Sequence, residues 1–147
     1  MSLWEWTLEA YARPGVPEAT LELQDGHGQN TSLLLWAVWA EARDPDLLAR
    51  AAELAHDWER TALVPLRQVR RALKNPLPPV DDGARASLRD DVKAAELRAE
   101  RLLMETLEAM TARPGGAHAL DALKAASAAW GRPAPEHALA VLAAALG

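Results

Sequence analysis

Residues Leu23-Gln24-Asp25-Gly26-His27-Gly28-Gln29-Asn30 run almost directly into Leu33-Leu34-Leu35-Trp36-Ala37-Val38-Trp39, and this junction restricts the fold more than any other part of the chain. Read at helical spacing, the second segment is apolar on every side. A helix without a polar face belongs in the middle of a core, so other helices must surround it. Amides and a carboxylate set that close to a core ordinarily have assigned hydrogen-bond partners.

The totals fit one such core. A chain of 147 residues makes one domain that buries roughly two-thirds of its unfolded surface. Half the residues are hydrophobic, with six Trp, one Tyr and no Phe, and Trp is a residue of interiors because its ring dominates burial energetics. The absence of cysteine excludes disulfides, thiolate metal sites and thiol catalysis, and fits a reducing cytoplasm. Glu5 and Glu9 with no basic flank do not read as a secretory signal. The longest uncharged stretches fall short of the about 20 apolar residues that span a bilayer. A soluble, cytoplasmic protein without membrane contact is the expectation. The net charge of −5 comes from 21 acidic and 16 basic residues, and no region is basic enough to suggest general nucleic-acid binding.

Along the chain, Ser2-Leu3-Trp4-Glu5 has the form of a capping box. The helix it opens gathers Leu3, Trp4, Leu8 and Tyr11 on one side. Pro17 suits the first turn of a second helix, which brings Ala19, Leu21 and Leu23 to the core and stops near Gly26 or Gly28, where glycine tolerates the left-handed conformation. Asn30, Thr31 or Ser32 caps the Trp-rich third helix, which continues to about Arg43. Asp44-Pro45 opens a fourth, with Leu47, Leu48, Ala51, Leu54, Ala55 and Trp58 at spacings of three and four. Pro65 predicts a kink or short break near Leu63. Residues 1–75 thus form a Trp-rich helical block, and Pro76-Leu77-Pro78-Pro79 reads as a stiff extended linker over 76–82. A long helix occupies 83–113, with Leu88, Val92, Ala95, Ala99 and Leu102 as its apolar stripe, widened by Leu103, Leu107 and Met110. An alanine-rich helical tail follows over 114–147, either packed on the bundle or offered as a dimer contact. No strand alternation and no fixed-period repeat is present. The expected fold is a single all-α domain of about seven helices, with Trp36 and Trp39 dry at its centre.

Two constellations carry functional readings. Gln24, Asp25, His27 and Asn30, with Trp36 and Trp39 nearby, either line a small-ligand pocket or cap helix ends and fill the core; capping needs these residue types at these positions. Arg67, Arg70, Arg71 and Lys74 follow i, i+3, i+4, i+7 on one helical face with no acid between. That face either holds a phosphate or an acidic partner surface, or is a solvated face complementing a helix C-terminus. Glu53-Leu54-Ala55-His56 has the Glu-x-x-His form of helical di-metal sites, but there is no second copy, so no metal and no cofactor is expected. No nucleophile motif or phosphate-cradling loop is present, which leaves no catalytic residue to name.

Taken together, Leu3-Trp4-Glu5-Trp6, Tyr11, Leu23-Gln24-Asp25, Gly28-Gln29-Asn30, Leu33-Leu34-Leu35-Trp36 and the Trp58…Pro65-Leu66-Arg67…Arg70-Arg71 region resemble a bacterial, mainly proteobacterial, family known only as a domain of unknown function. The resemblance covers about Leu3 to Met110 and implies a small cytoplasmic helical protein. It implies no reaction, ligand or catalytic residue. The functional expectation is a non-enzymatic interaction or regulatory module with a protein partner or a homodimer contact. The alternative is a small-ligand-binding protein or enzyme with its pocket at the Gln24-Asp25…Asn30 turn.

Overall fold

A computed structural model describes residues 1–112 and 114–147. Arg113, where the long-helix segment was expected to end, lies outside the described residues. Among those described there are eight α-helices and no strand: α1 (Leu3–Tyr11), α2 (Val16–Leu21), α3 (Thr31–Trp39), α4 (Pro45–Trp58), α5 (Val64–Ala72), α6 (Asp82–Ala109), α7 (Ala119–Trp130) and α8 (Glu136–Leu146). Two π-helical turns join this set: Glu22–Gly26 extends α2, and Glu59–Leu63 fuses α4 to α5. The described residues therefore make seven continuous rods, an all-α single-domain bundle.

Helix α3 is the axis. Leu33, Leu34, Leu35, Trp36 and Ala37 are all buried, with α7 and α6 packed on the helix and α1 and α4 beside it. The Trp36 ring is wholly enclosed, and its indole N–H, which would be costly to leave unpaired, donates to Thr111 Oγ1 at 2.9 Å. Trp39 is only partly buried, unlike the expectation for it. It is the last residue of α3, where the chain leaves the helix and the surrounding rods no longer close over it.

The ends of α1 are satisfied as its sequence suggests. Ser2 Oγ accepts from the Glu5 N–H, and the Glu5 carboxylate accepts from the Ser2 N–H. Glu108 on α6 accepts from the Leu3 N–H at 2.8 Å. The buried stripe of α1, however, is Leu3, Thr7 and Ala10, while Leu8 is 54% and Tyr11 38% exposed. The small Thr7 and Ala10 allow a close approach to α6, where the Thr7 hydroxyl meets Met104 Sδ at 3.5 Å. On α2 the same correction applies to Leu21, which is exposed while Val16, Ala19 and Leu23 are buried.

Pro65 produces neither a stop nor a gap. The Val64 N–H donates to the Glu59 carbonyl, five residues back, so the rod widens by one residue before the ring that lacks a donor. The Pro-rich segment is likewise not an extended spacer. The Val80 N–H donates to the Leu77 carbonyl at 2.8 Å, closing a turn that sends α6 back along α5. The Asp81 carboxylate then caps α6 through the Ala84 N–H at 2.8 Å. Only Ala99, Leu103, Met104 and Leu107 of α6 are buried. The expected stripe begins too early: Leu88 is exposed, because the first half of α6 has α5 as its neighbour and no body beneath it, and Leu102, further along, is exposed beside a surface cleft next to Trp4.

Candidate functional site

The bend before α3 is a hydrogen-bonded joint. Asn30 is buried; its Oδ1 accepts from the Leu33 N–H at 2.9 Å, and its Nδ2 donates to Glu59 Oε1 at 3.0 Å in the π-turn. Gln29, also buried, donates to the carbonyls of His27 and Arg132 and accepts from Ser127 Oγ at 2.8 Å. Ser127 Oγ in turn accepts from the Ala134 N–H. Trp130 donates from its indole to the Gly28 carbonyl at 2.9 Å and stacks on His56 with ring centroids 3.6 Å apart. Since the Trp130 carbonyl, 2.7 Å from His56 Nε2, can only accept, that nitrogen carries the proton. Gln24 is half-buried and Asp25 exposed. Among the described residues, five of the better-formed surface clefts, of about 330 to 750 Å³, are not lined by Gln24, Asp25, Asn30, Trp36 or Trp39. Among the described residues no metal-binding cluster of His, Asp or Glu forms.

The basic face lies on a different kind of feature. Between residues 64 and 98 no side chain is buried. Helix α5 packs on the returning half of α6 and on the π-turn, so the two helices stand off the body as an antiparallel arm. At 1.5 Å per residue, the α6 half of this arm is about 25 Å long. Two arginines close the hairpin. Arg85 donates to the Leu73 carbonyl at 2.5 Å and Arg89 to the Arg70 carbonyl at 3.2 Å, serving carbonyls that α5 leaves free at its C-terminus.

These contacts divide the four predicted cations. Arg70 pairs with Glu96 of α6 at 2.5 Å, and Arg67 lies beside Glu100, so both point toward the hairpin seam. Arg71 and Lys74 are exposed and, among the described residues, make no ion pair. The arm also exposes Val69, Leu77, Val80 and Leu88, at 46 to 69 % of their surface. Residues 64–98 hold eight basic and five acidic side chains, a net of +3; since the whole chain carries −5, the remainder carries −8. Leu77, Val80, Arg85 and Arg89 were absent from the sequence-level site. A proline turn flanked by apolar residues was the available signal for Leu77 and Val80, which are exposed, whereas Arg85 and Arg89 are half-buried against carbonyls of the facing helix.

At the root of the arm, acids from two rods converge. Burial pushes the Glu100 carboxyl above its ordinary value; Glu96 adds to that, Arg67 and Arg70 pull it back, and Glu59 raises it again. Tyr11 shows an edge of its ring to solvent, but burial of the hydroxyl raises its pKa, hydrogen bonds to Thr20 and Thr31 lower it, and Glu100 raises it further.

The architecture is that of a helical bundle carrying a projecting, basic two-helix arm. The model of the family described as "Protein of unknown function (DUF2390)" matches residues 2–107, and the chain belongs to that family. The match takes in α1 to α5, the whole arm, and α6 as far as Leu107; α7 and α8 lie beyond it. No curated protein and no solved structure matches the chain.

Proposed function

We propose that this protein is a non-enzymatic interaction module whose arm docks an acidic, amphipathic segment of a partner protein. The observation that carries this is the arm itself: 35 consecutive residues without a buried side chain, in a chain whose remaining core is closed. A helix pair with no fully buried side chain adds little to folding stability, and exposed apolar residues rimmed by charge mark interaction surfaces. The opposite charges of arm and body favour a partner more acidic than the chain average, steered to Arg71 and Lys74 by long-range attraction. Arg67 and Arg70 act as hairpin-seam residues that keep the two outward cations in place. In the same reading Asn30 and Trp36 are structural anchors, and Gln24, Asp25 and Trp39 flank them without forming a pocket. A bacterial, cytoplasmic setting fits the cysteine-free composition and the family resemblance.

The test is isothermal titration with a synthetic helical peptide bearing Glu along one face and Leu along the other. Binding should weaken at least about tenfold in the R71E/K74E variant and fall as salt rises; the peptide with Gln in place of Glu should bind as weakly. Equal affinity of wild type and variant for the acidic peptide would overturn the proposal.

A further inference from the structure

A second feature, independent of the arm, lies where the chain passes from α3 to α4. A cleft of about 680 Å³ opens there, within the range of small-molecule sites, between the start of α4 and the segment after α6. Its floor is apolar: Ala42 is buried, and Leu47 and Met110 are half-buried against the core. Its charge comes from Arg43 and Arg50, two guanidinium groups that make no ion pair among the described residues. The one carboxylate on the lining, Asp44, caps α4 by accepting from the Asp46 N–H at 3.1 Å and keeps its negative charge, so the two arginines leave the lining a net +1.

Two backbone hydrogen bonds tie part of the wall to the end of α3. The Gly115 N–H donates to the Ala40 carbonyl at 2.8 Å, and the Ala117 N–H to the Glu41 carbonyl at 3.0 Å. A Cβ at Gly115 would land on the Glu41 carbonyl oxygen, so only glycine permits this approach. Glu41 is held at φ 49°, the one non-glycine positive φ among the described residues, a conformation that costs energy and persists only where its surroundings fix it.

We infer that this cleft binds a small organic anion with an apolar body, its carboxylate or phosphate head held by Arg43 and Arg50 and its hydrocarbon part laid on Ala42, Leu47 and Met110. Guanidinium forks suit either head group through paired N–H donors. The apolar floor argues against a bare inorganic ion, which would leave it uncovered. The arm plays no part in this site.

Titration of the full chain with octanoate, octyl phosphate, octanol and inorganic phosphate tests the inference, with all amphiphiles kept below their aggregation limits. At least one of the two anionic amphiphiles should saturate at one per chain, and the tighter of them identifies the head group. Octanol and inorganic phosphate should each bind at least about tenfold more weakly. R43Q/R50Q should lose at least about tenfold in affinity, as expected when charge-assisted hydrogen bonds are removed. Ala112→Trp, which places an indole on the cleft lining and leaves both arginines in the sequence, should abolish binding, while R71E/K74E leaves it unchanged. Both arginines are exposed, so their replacement spares the fold. Failure of both amphiphiles to saturate, octanol binding as tightly as octanoate, or an R43Q/R50Q affinity within twofold of wild type would each overturn it.

Discussion

Asn30 and Asp25 show how closely similar side chains can part company. Both are candidate caps in a polar bend, yet Asn30 holds the start of α3 and reaches Glu59, whereas Asp25 lies open to solvent. Asn30→Ala should cost about 2 kcal/mol, since it removes a cap and orphans a partly buried acceptor; Asp25→Ala should stay within about 0.5 kcal/mol. Urea unfolding of the two variants measures the contrast. Glu100 gives a pH-dependent case. Its carboxyl is raised by burial and by Glu96, so the folded state holds that proton more tightly than the unfolded chain does. The relief is complete below the ordinary value of 4.5 and is lost as pH rises through the raised value. Glu100→Gln should therefore be more stable than wild type at pH 7, with the advantage fading as pH falls through the raised value and gone below 4.5. Thermal melts across that range would reveal a constant or reversed difference if the sign were wrong. At this scale the sequence was legible where local chemistry decides: the Ser2–Glu5 box, the Asn30 cap and the Asp44-Pro45 start all follow from backbone donors that need acceptors. Gln29 was not legible as an anchor, because Ser127 and the Arg132 carbonyl sit about a hundred positions away.

Elements were readable in kind and less so in their faces. Helical spacing located every rod, but Leu8, Tyr11, Leu21, Leu88 and Leu102 are exposed, and periodicity alone does not say whether a neighbour exists to cover an apolar stripe. The arm is the extreme instance. Its helices have good patterns but, beyond Leu66 at the root, no core to pack on, and the proline segment that looked like a spacer is the turn that makes them a hairpin. An element that buries no side chain opens at little cost. Amides of α5 and the first half of α6 should exchange with solvent at least about tenfold faster than those of α3, read by hydrogen exchange on the intact protein. Equal protection would mean that the arm is held by contacts the bundle does not display.

For the whole molecule, the all-α bundle was legible because a fully apolar helix must be surrounded, and α3 is. The family match ends inside α6, yet α7 packs on α3 and α8 on α2. Leu123, Leu139, Leu142 and Leu146 are buried, worth about 1.5–3 kcal/mol each, a sum comparable to the about 5–15 kcal/mol that stabilises a domain. A chain ending at residue 107 should accordingly show no cooperative unfolding transition by circular dichroism. Charge is the other property of the whole: a body at −8 holds out an arm at +3, and that asymmetry underlies the proposed function. A backbone amide shift map of the intact protein titrated with the acidic amphipathic peptide tests this most directly. Perturbations should be confined to residues 64–98, centred on Arg71, Lys74, Leu77 and Val80, and should vanish in R71E/K74E; perturbations centred on the α3–α7 side of the bundle, or persisting in the charge-reversed variant, would contradict it.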